Sequence, residues 1–180
     1  MKIKQVESLL KAKKSIIVFD ANGCQWVGDG MAFYPLYNMP KLTQENFFAM
    51  FDIPVENRDK FYFSESDCPT RINFSDTDDT EEVLERSSFE LCMNGARVEP
   101  LLTNHGIAFI NTKYLKPFKG LKAGYELYER SYDGNVYIAV KSGFMLLGII
   151  APISNFVNEE FVGALGMVWK MSEMKLKEME

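Results

Sequence analysis

The chain has 180 residues, of which 47% are hydrophobic and 25% are charged, with a formal net charge of −5. These values are typical of a globular protein and exclude a disordered chain, a collagen-like fibre and a disulfide scaffold. The longest apolar run, residues 144–152, is about half of a membrane span, and no secretory signal follows the first lysines. We therefore expect a single domain over residues 1–180, in the cytoplasm and away from membranes.

The first third of the sequence alternates short helical and extended patterns. Apolar residues on one side of residues 3–13 predict an N-terminal helix. Residues 15–20 and 24–27 predict a hairpin, because Asn22 and Gly23 lie between them. Residues 31–37 predict a further short strand. Thr43 is a suitable N-cap for a helix to about Phe51, and Pro54 can open another helical turn.

An acidic segment occupies about residues 64–86, and we expect it to be a loop followed by a helix. Its first part, residues 64–75, is polar and predicts an ordered loop. Residues 76–86 predict a helix, since their acidic side chains would lie in the first turn, where the helix dipole favours them.

The pattern changes to period two after Ser87. The pair Asn94-Gly95 indicates a tight hairpin, and six mostly antiparallel strands are expected between residues 87 and 150, ending in a meander. A last helix is predicted over residues 155–178. Its methionine-rich face is typical of a core, with self-association of the chain or binding of a partner as the alternative. The fold class is therefore α+β, a largely antiparallel sheet with N-terminal, central and C-terminal helices.

The residues suited to catalysis are few and scattered. Cys24, Cys68 and Cys92 form no CxxC pair, and His105 is the only histidine, in what reads as a turn. This set provides neither a closed zinc site nor a clear nucleophile and base. We expect no catalytic residue, no metal and no cofactor. An enzyme would have to use the acidic residues Asp29, Asp76 and Asp78, and this class stays open as an alternative.

Two charged clusters are candidates for binding a partner. Residues 56–90 carry a net charge of −7, and the other 145 residues carry +2. The acidic cluster is a solvated surface or a mimic of nucleic-acid phosphates that binds a partner protein; it consists of Asp76, Asp78, Asp79, Glu81 and Glu82. A calcium loop does not fit, because Thr80 and Glu81 stand where a ligand and a glycine are needed.

The second cluster is a lysine strip, in which lysines recur every third residue. It consists of Lys113, Lys116, Lys119 and Lys122. Lysines neutralise phosphates, and the interleaved Tyr114 and Phe118 could stack on bases, so the strip predicts contact with DNA. A solvated connection between strands is the alternative, because Pro117 and Gly120 interrupt a regular helix.

Several stretches resemble small proteins of phages and prophages of gut clostridia. The resemblance covers about residues 1–153 and is carried by residues 24–30, 32–37, 51–54, 109–115 and 136–141. It extends to anti-CRISPR proteins that inhibit type II-A Cas9. It implies a non-enzymatic protein that binds guide-loaded Cas9, with DNA as a further partner, and blocks cleavage. It assigns no role to an individual residue.

A second class of function is an accessory protein of phage DNA metabolism. The closing meander, residues 125–153, is similar to the last strands of a sliding-clamp domain. That resemblance implies a ring with a basic inner surface.

Overall fold

A computed structural model describes residues 1–87, 89–93, 95–153, 163–164 and 166–171. The named helices are two α-helices and two 3₁₀ helices: α1 (Ile3–Lys13), α2 (Gln44–Met50), η1 (Val55–Lys60) and η2 (Thr112–Phe118). Residues 163–164 and 166–171 are also helical. The remainder of the helix predicted over residues 155–178 lies outside the described residues.

Eleven strands lie in the described part of the chain. They are β1 (Ser15–Ala21), β2 (Cys24–Gly28), β3 (Ala32–Pro35), β4 (Tyr62–Glu65), β5 (Glu82–Leu84), β6 (Leu91–Met93), β7 (Ala96–Thr103), β8 (Gly106–Asn111), β9 (Glu126–Tyr132), β10 (Asn135–Ser142) and β11 (Met145–Ile150). Eight form a sheet in the order β4-β1-β2-β3-β11-β10-β9-β5, and β6-β7-β8 form a second sheet. Only the β1–β4 pair is parallel among them.

The predicted α+β class with a largely antiparallel sheet is confirmed, as are the six strands expected between residues 87 and 150. The helix predicted after Thr43 is also confirmed, because the Thr43 hydroxyl accepts a hydrogen bond from the backbone N–H of Asn46 and caps the first turn. Pro54 precedes η1, as its sequence position indicated.

The eight-stranded sheet is covered on both sides. On one side, here called the helical face, Val18 and Ile138 pack with Leu10, Phe47 and Phe118 of α1, α2 and η2. The opposite side, the loop face, presents Phe19, Trp26 and Phe33. The loop of residues 66–81 covers that side and inserts Phe74 between these rings. Successive side chains of a strand point to opposite faces, so alternate residues of the same strands belong to the two cores.

The prediction of a helix over residues 76–86 is wrong. The structure has turns up to Thr80, followed by β5, which pairs with β9 in antiparallel order. The carboxylate of Asp78 accepts a hydrogen bond from the backbone N–H of Thr80 at 2.8 Å, and such a local contact competes with a helical turn. Strand pairing then buries Leu84 in the core of the helical face, which a short exposed helix would not do.

Candidate functional site

The acidic cluster is held to the sheet by two buried cations. Glu81 pairs with Arg130 of β9 and Lys141 of β10, whose side chains are 0% and 6% exposed. The guanidinium of Arg130 also donates to the backbone carbonyls of Asn73, at 3.0 Å, and Ser75, at 2.9 Å. Arg130 and Lys141 had no place in the sequence-based site, because nothing in the sequence pairs them with a residue 49 or 60 positions away.

Three other carboxylates of the cluster also have partners within the chain. Asp76 accepts a hydrogen bond from the backbone N–H of Leu146 at 2.8 Å, which ties the loop to β11. Asp78 accepts hydrogen bonds from Thr80 and from the hydroxyl of Tyr137. Glu82 accepts one from the side-chain amide of Asn104. Asp79 is exposed and makes no ion pair or hydrogen bond with the described residues. Much of the acidic cluster therefore serves to attach its own loop.

The hydrogen bonds of Asp78 predict an acid-sensitive loop. Partial burial opposes ionisation of this carboxyl, but hydrogen bonds from Thr80 and Asn73 and the nearby Arg130 outweigh it and lower its pKa below the usual 3.8. A pKa lowered by folding stabilises the folded state above the unfolded-state pKa, and this stabilisation disappears as pH falls through the folded-state pKa. We expect Asp78→Asn to be less stable than the parent at pH 6, and we expect this difference to shrink as the pH falls below 3.8.

Urea unfolding of both proteins at a series of pH values measures this difference. A gap between the two unfolding midpoints that does not change from pH 6 to pH 2 would contradict the role given to Asp78.

The first two residues of the lysine strip, Lys113 and Lys116, lie in the 3₁₀ helix η2, whose period of three residues matches the spacing of the lysines. In η2 the residues of two edges are buried: Thr112, Leu115 and Phe118 on one, and Tyr114 and Pro117 on the other. The third edge carries Lys113, half-buried, and Lys116, exposed, and Lys119 follows as the C-cap residue. The structure thus brings these three lysines together, while Lys122 lies beyond Gly120.

A side chain from β3, Tyr34, compensates for the hydrogen bond that Pro117 cannot make in η2. In a 3₁₀ helix the N–H of this position would bond to the carbonyl of residue 114, and proline has no N–H. The hydroxyl of Tyr34 donates to that Tyr114 carbonyl instead, at 3.0 Å. The hydroxyl of Tyr114 donates to Asp29 at 2.8 Å. These contacts anchor the inner side of η2, so its lysine edge faces outward.

The N-terminal helix extends the lysine edge of η2. The backbone N–H of Lys2 donates to the carbonyl of Pro117 at 2.8 Å, and α1 packs against η2. The ammonium of Lys2 lies about 3.1 Å from the position that a Cβ on Gly120 would occupy. Residues 1–14 and 112–124 together hold nine lysines and one glutamate. We call this surface the basic face; its lysines are Lys2, Lys4, Lys11, Lys13, Lys14, Lys113, Lys116, Lys119 and Lys122.

The two charged clusters lie on opposite sides of one sheet. The basic face belongs to the layer of α1 and η2 that covers the helical face of the sheet. Seven of its nine lysines are exposed. The loop of residues 66–81, with five acidic residues and Arg71, covers the loop face. The lysines of the basic face and the acidic residues of this loop are therefore separated by the sheet.

The residues considered for catalysis are separated or engaged elsewhere. Asp29 accepts hydrogen bonds from the backbone of Met31 and Ala32 and from Tyr114 under the helical face, away from the loop that holds Asp76 and Asp78. Burial raises the pKa of the Cys24 and Cys68 thiols, which keeps them protonated. The described residues contain no group of three metal-ligating side chains.

His105 lies in the turn between β7 and β8, as the sequence indicated. Its Nδ1 is 2.6 Å from a carboxylate oxygen of Glu129, which is itself buried and also accepts the backbone N–H of Asn104. The turn thereby attaches the second sheet to β9. This pairing has an evident structural role, since it satisfies a buried carboxylate.

Comparison of the chain with models of protein families, with curated proteins and with solved structures found no match. Among the described residues, no helix is long and apolar enough to cross a membrane.

Proposed function

We propose that this chain is a non-enzymatic binding protein that contacts nucleic acid through its basic face. The observation that carries the proposal is the packing of α1 on η2, which brings two lysine-rich segments from distant parts of the sequence together. These two segments contain one acidic residue, Glu7, which is paired with Lys11. Lysines arranged in this way neutralise phosphates and release counterions, which is the main source of affinity for nucleic acids.

The resemblance to phage proteins indicates which complex would contain the nucleic acid that the chain contacts. It points to guide-loaded type II-A Cas9, which holds target DNA and guide RNA in a positively charged channel. In this proposal the chain blocks cleavage by holding nucleic acid bound to that complex, and it does so stoichiometrically. The alternative contact, through the acidic cluster, has fewer available groups, because Glu81, Asp76, Asp78 and Glu82 already have partners.

A cleavage assay with matched charge variants tests the proposal. The chain is titrated against guide-loaded Cas9 with a linear DNA target. We expect inhibition to reach completion near equimolar chain and to weaken when Cas9 is added in excess. The double variant Lys116→Gln/Lys119→Gln should need at least about tenfold more protein for half-inhibition, because two phosphate contacts are lost.

The control variant removes two positive charges from a different part of the surface. Lys41→Gln/Arg71→Gln alters two exposed cations outside the basic face and should inhibit like the parent. A third variant, Asp79→Lys/Glu82→Lys, examines the acidic cluster while leaving Glu81 in place. Normal cleavage with the parent chain in large excess over several type II-A Cas9 proteins would refute the Cas9 part of the proposal.

The basic layer on one side of a sheet also suits the clamp-like alternative, in which such a layer lines the inside of a ring. The discriminating measurement is the molar mass in solution by light scattering. A closed trimer or larger ring at micromolar concentration would favour that alternative over a Cas9 inhibitor.

A further inference from the structure

We infer that the basic face recognises paired nucleic-acid strands through their phosphates, without reading or stacking on bases. This inference rests on the proposed function, since it assumes that the basic face is the nucleic-acid contact, and it specifies the class of ligand. Both a DNA duplex and an RNA–DNA heteroduplex present the required chemistry, two phosphate backbones held at fixed spacing.

The first argument is the position of the aromatic rings. Stacking on exposed aromatic side chains contributes about 1–3 kcal/mol per base to the binding of single strands. The segments that form the basic face contain only Tyr114 and Phe118 as aromatic residues. Their exposed fractions are 4% and 0%. The expectation that these two rings stack on bases is therefore wrong. Phe61, which lines a pocket with Lys11 and Lys14, is half-buried and packs on Phe48.

The buried rings have other partners, so they are not available after a small movement. Phe118 packs against Tyr34 and Tyr125 with ring centroids 5.7 Å away in each pair. The ammonium of Lys113 lies 4.7 Å from the centroid of the Tyr114 ring, while the hydroxyl of Tyr114 bonds to Asp29. Exposing either ring would require η2 to leave the sheet.

The second argument is the chemistry of the exposed groups. The lysines of the face end in ammonium groups, which interact with phosphates as point charges and provide no fixed fork for a guanine edge. Residues 1–14 and 112–124 contain no arginine or asparagine, and their one glutamine, Gln5, is half-buried. Affinity without such side chains is expected to be nearly independent of base sequence.

The third argument is charge density. A duplex carries about one phosphate charge per 1.7 Å of its axis and a single strand about one per 3.4 Å. Helix α1, with 11 residues, is about 16 Å long and packs against η2. Over that length a duplex offers about twice as many phosphates as one strand, and it offers them without the entropy of ordering a flexible chain.

Fluorescence anisotropy with labelled oligonucleotides tests the inference on the full chain. The probes are a 20-base-pair DNA duplex, the matching RNA–DNA heteroduplex, each single strand and a second duplex of scrambled sequence. We expect both duplexes and the heteroduplex to bind at least about tenfold more tightly than either strand, because stacking is absent and charge density is higher. The two DNA duplexes should differ by less than about threefold.

Salt dependence and charge variants separate this inference from the proposed function. Lys116→Gln/Lys119→Gln should reduce the slope of log K against log salt by about 1–2, and Lys41→Gln/Arg71→Gln should leave it unchanged. Lysine-dependent binding that is as tight for single strands, or that follows base sequence, would overturn the inference alone. Absence of binding to every probe at low salt would overturn both. Duplex binding without Cas9 inhibition would support the inference and refute the Cas9 proposal.

Discussion

Replacing Glu81 with glutamine is expected to lower the free energy of unfolding by about 3–5 kcal/mol. The carboxylate pairs with two cations, Arg130 and Lys141, that are themselves buried under the loop of residues 66–81. Glutamine keeps the size of the side chain but removes its charge, so both cations lose their ion-pair partner in a poorly solvated site. Removing one partner of a buried ion pair is costly because the charge left behind cannot return to water. Urea unfolding followed by circular dichroism measures the change.

Asp79→Asn is the matched control for this experiment. It removes the same charge from the same loop, at an exposed position without ion pairs or hydrogen bonds to the described residues. We expect it to change stability by no more than about 0.5 kcal/mol. Equal effects of the two substitutions would show that the loop is stabilised by its total charge and not by the contact of Glu81 with the sheet.

Gly28→Ala is expected to destabilise the chain by about 3 kcal/mol or more, at the upper end of the cost of overpacking. Gly28 lies at the end of β2 and pairs with Ile17 on one side and Phe33 on the other. A Cβ at this position would lie about 2.1 Å from the backbone carbonyl oxygen of Ala32 and 2.3 Å from the ring of Phe33. Backbone atoms cannot yield as a flexible side chain does, so β2 and β3 would have to separate at this point.

Gly163→Ala is the corresponding control, because residue 163 is helical and exposed and has open space around the added Cβ. Alanine at position 163 is expected to raise the free energy of unfolding of the chain by at most about 1 kcal/mol. Urea unfolding of the parent and of both variants measures these changes in stability. A Gly28→Ala protein within about 1 kcal/mol of the parent would contradict the close approach of β3 to this glycine.

The elements whose causes are local could be predicted from the sequence. The apolar stripe of Val6, Leu9 and Leu10 predicted α1, and these residues are buried against the sheet. The Thr43 cap and the turn glycines of the β1–β2 and β9–β10 hairpins, Gly23 and Gly134, likewise act within a few residues of their own position. Helix caps, tight turns and alternating hydrophobicity are short-range effects, so one sequence suffices to predict them.

The helix predicted at residues 76–86 failed because its acidic residues are also suited to turns and ion pairs. In isolation, acidic side chains favour the start of a helix. In the folded chain, Arg130 and Lys141 provide stronger partners for Glu81, and β9 provides a strand for β5. Long-range contacts therefore outweighed a local preference of a few tenths of a kcal/mol per residue.

The sequence by itself determined the α+β class, most helix and strand positions, and the existence of two oppositely charged clusters. Only the tertiary structure decided what the clusters can contact. It paired Glu81 with buried cations from β9 and β10 and engaged Asp76, Asp78 and Glu82 in hydrogen bonds. It also wound the first half of the lysine strip into a 3₁₀ helix and placed α1 beside it. It also buried Tyr114 and Phe118, the two rings that the sequence left available for bases. Charge and spacing are properties of the sequence, whereas exposure and pairing depend on residues far away along the chain.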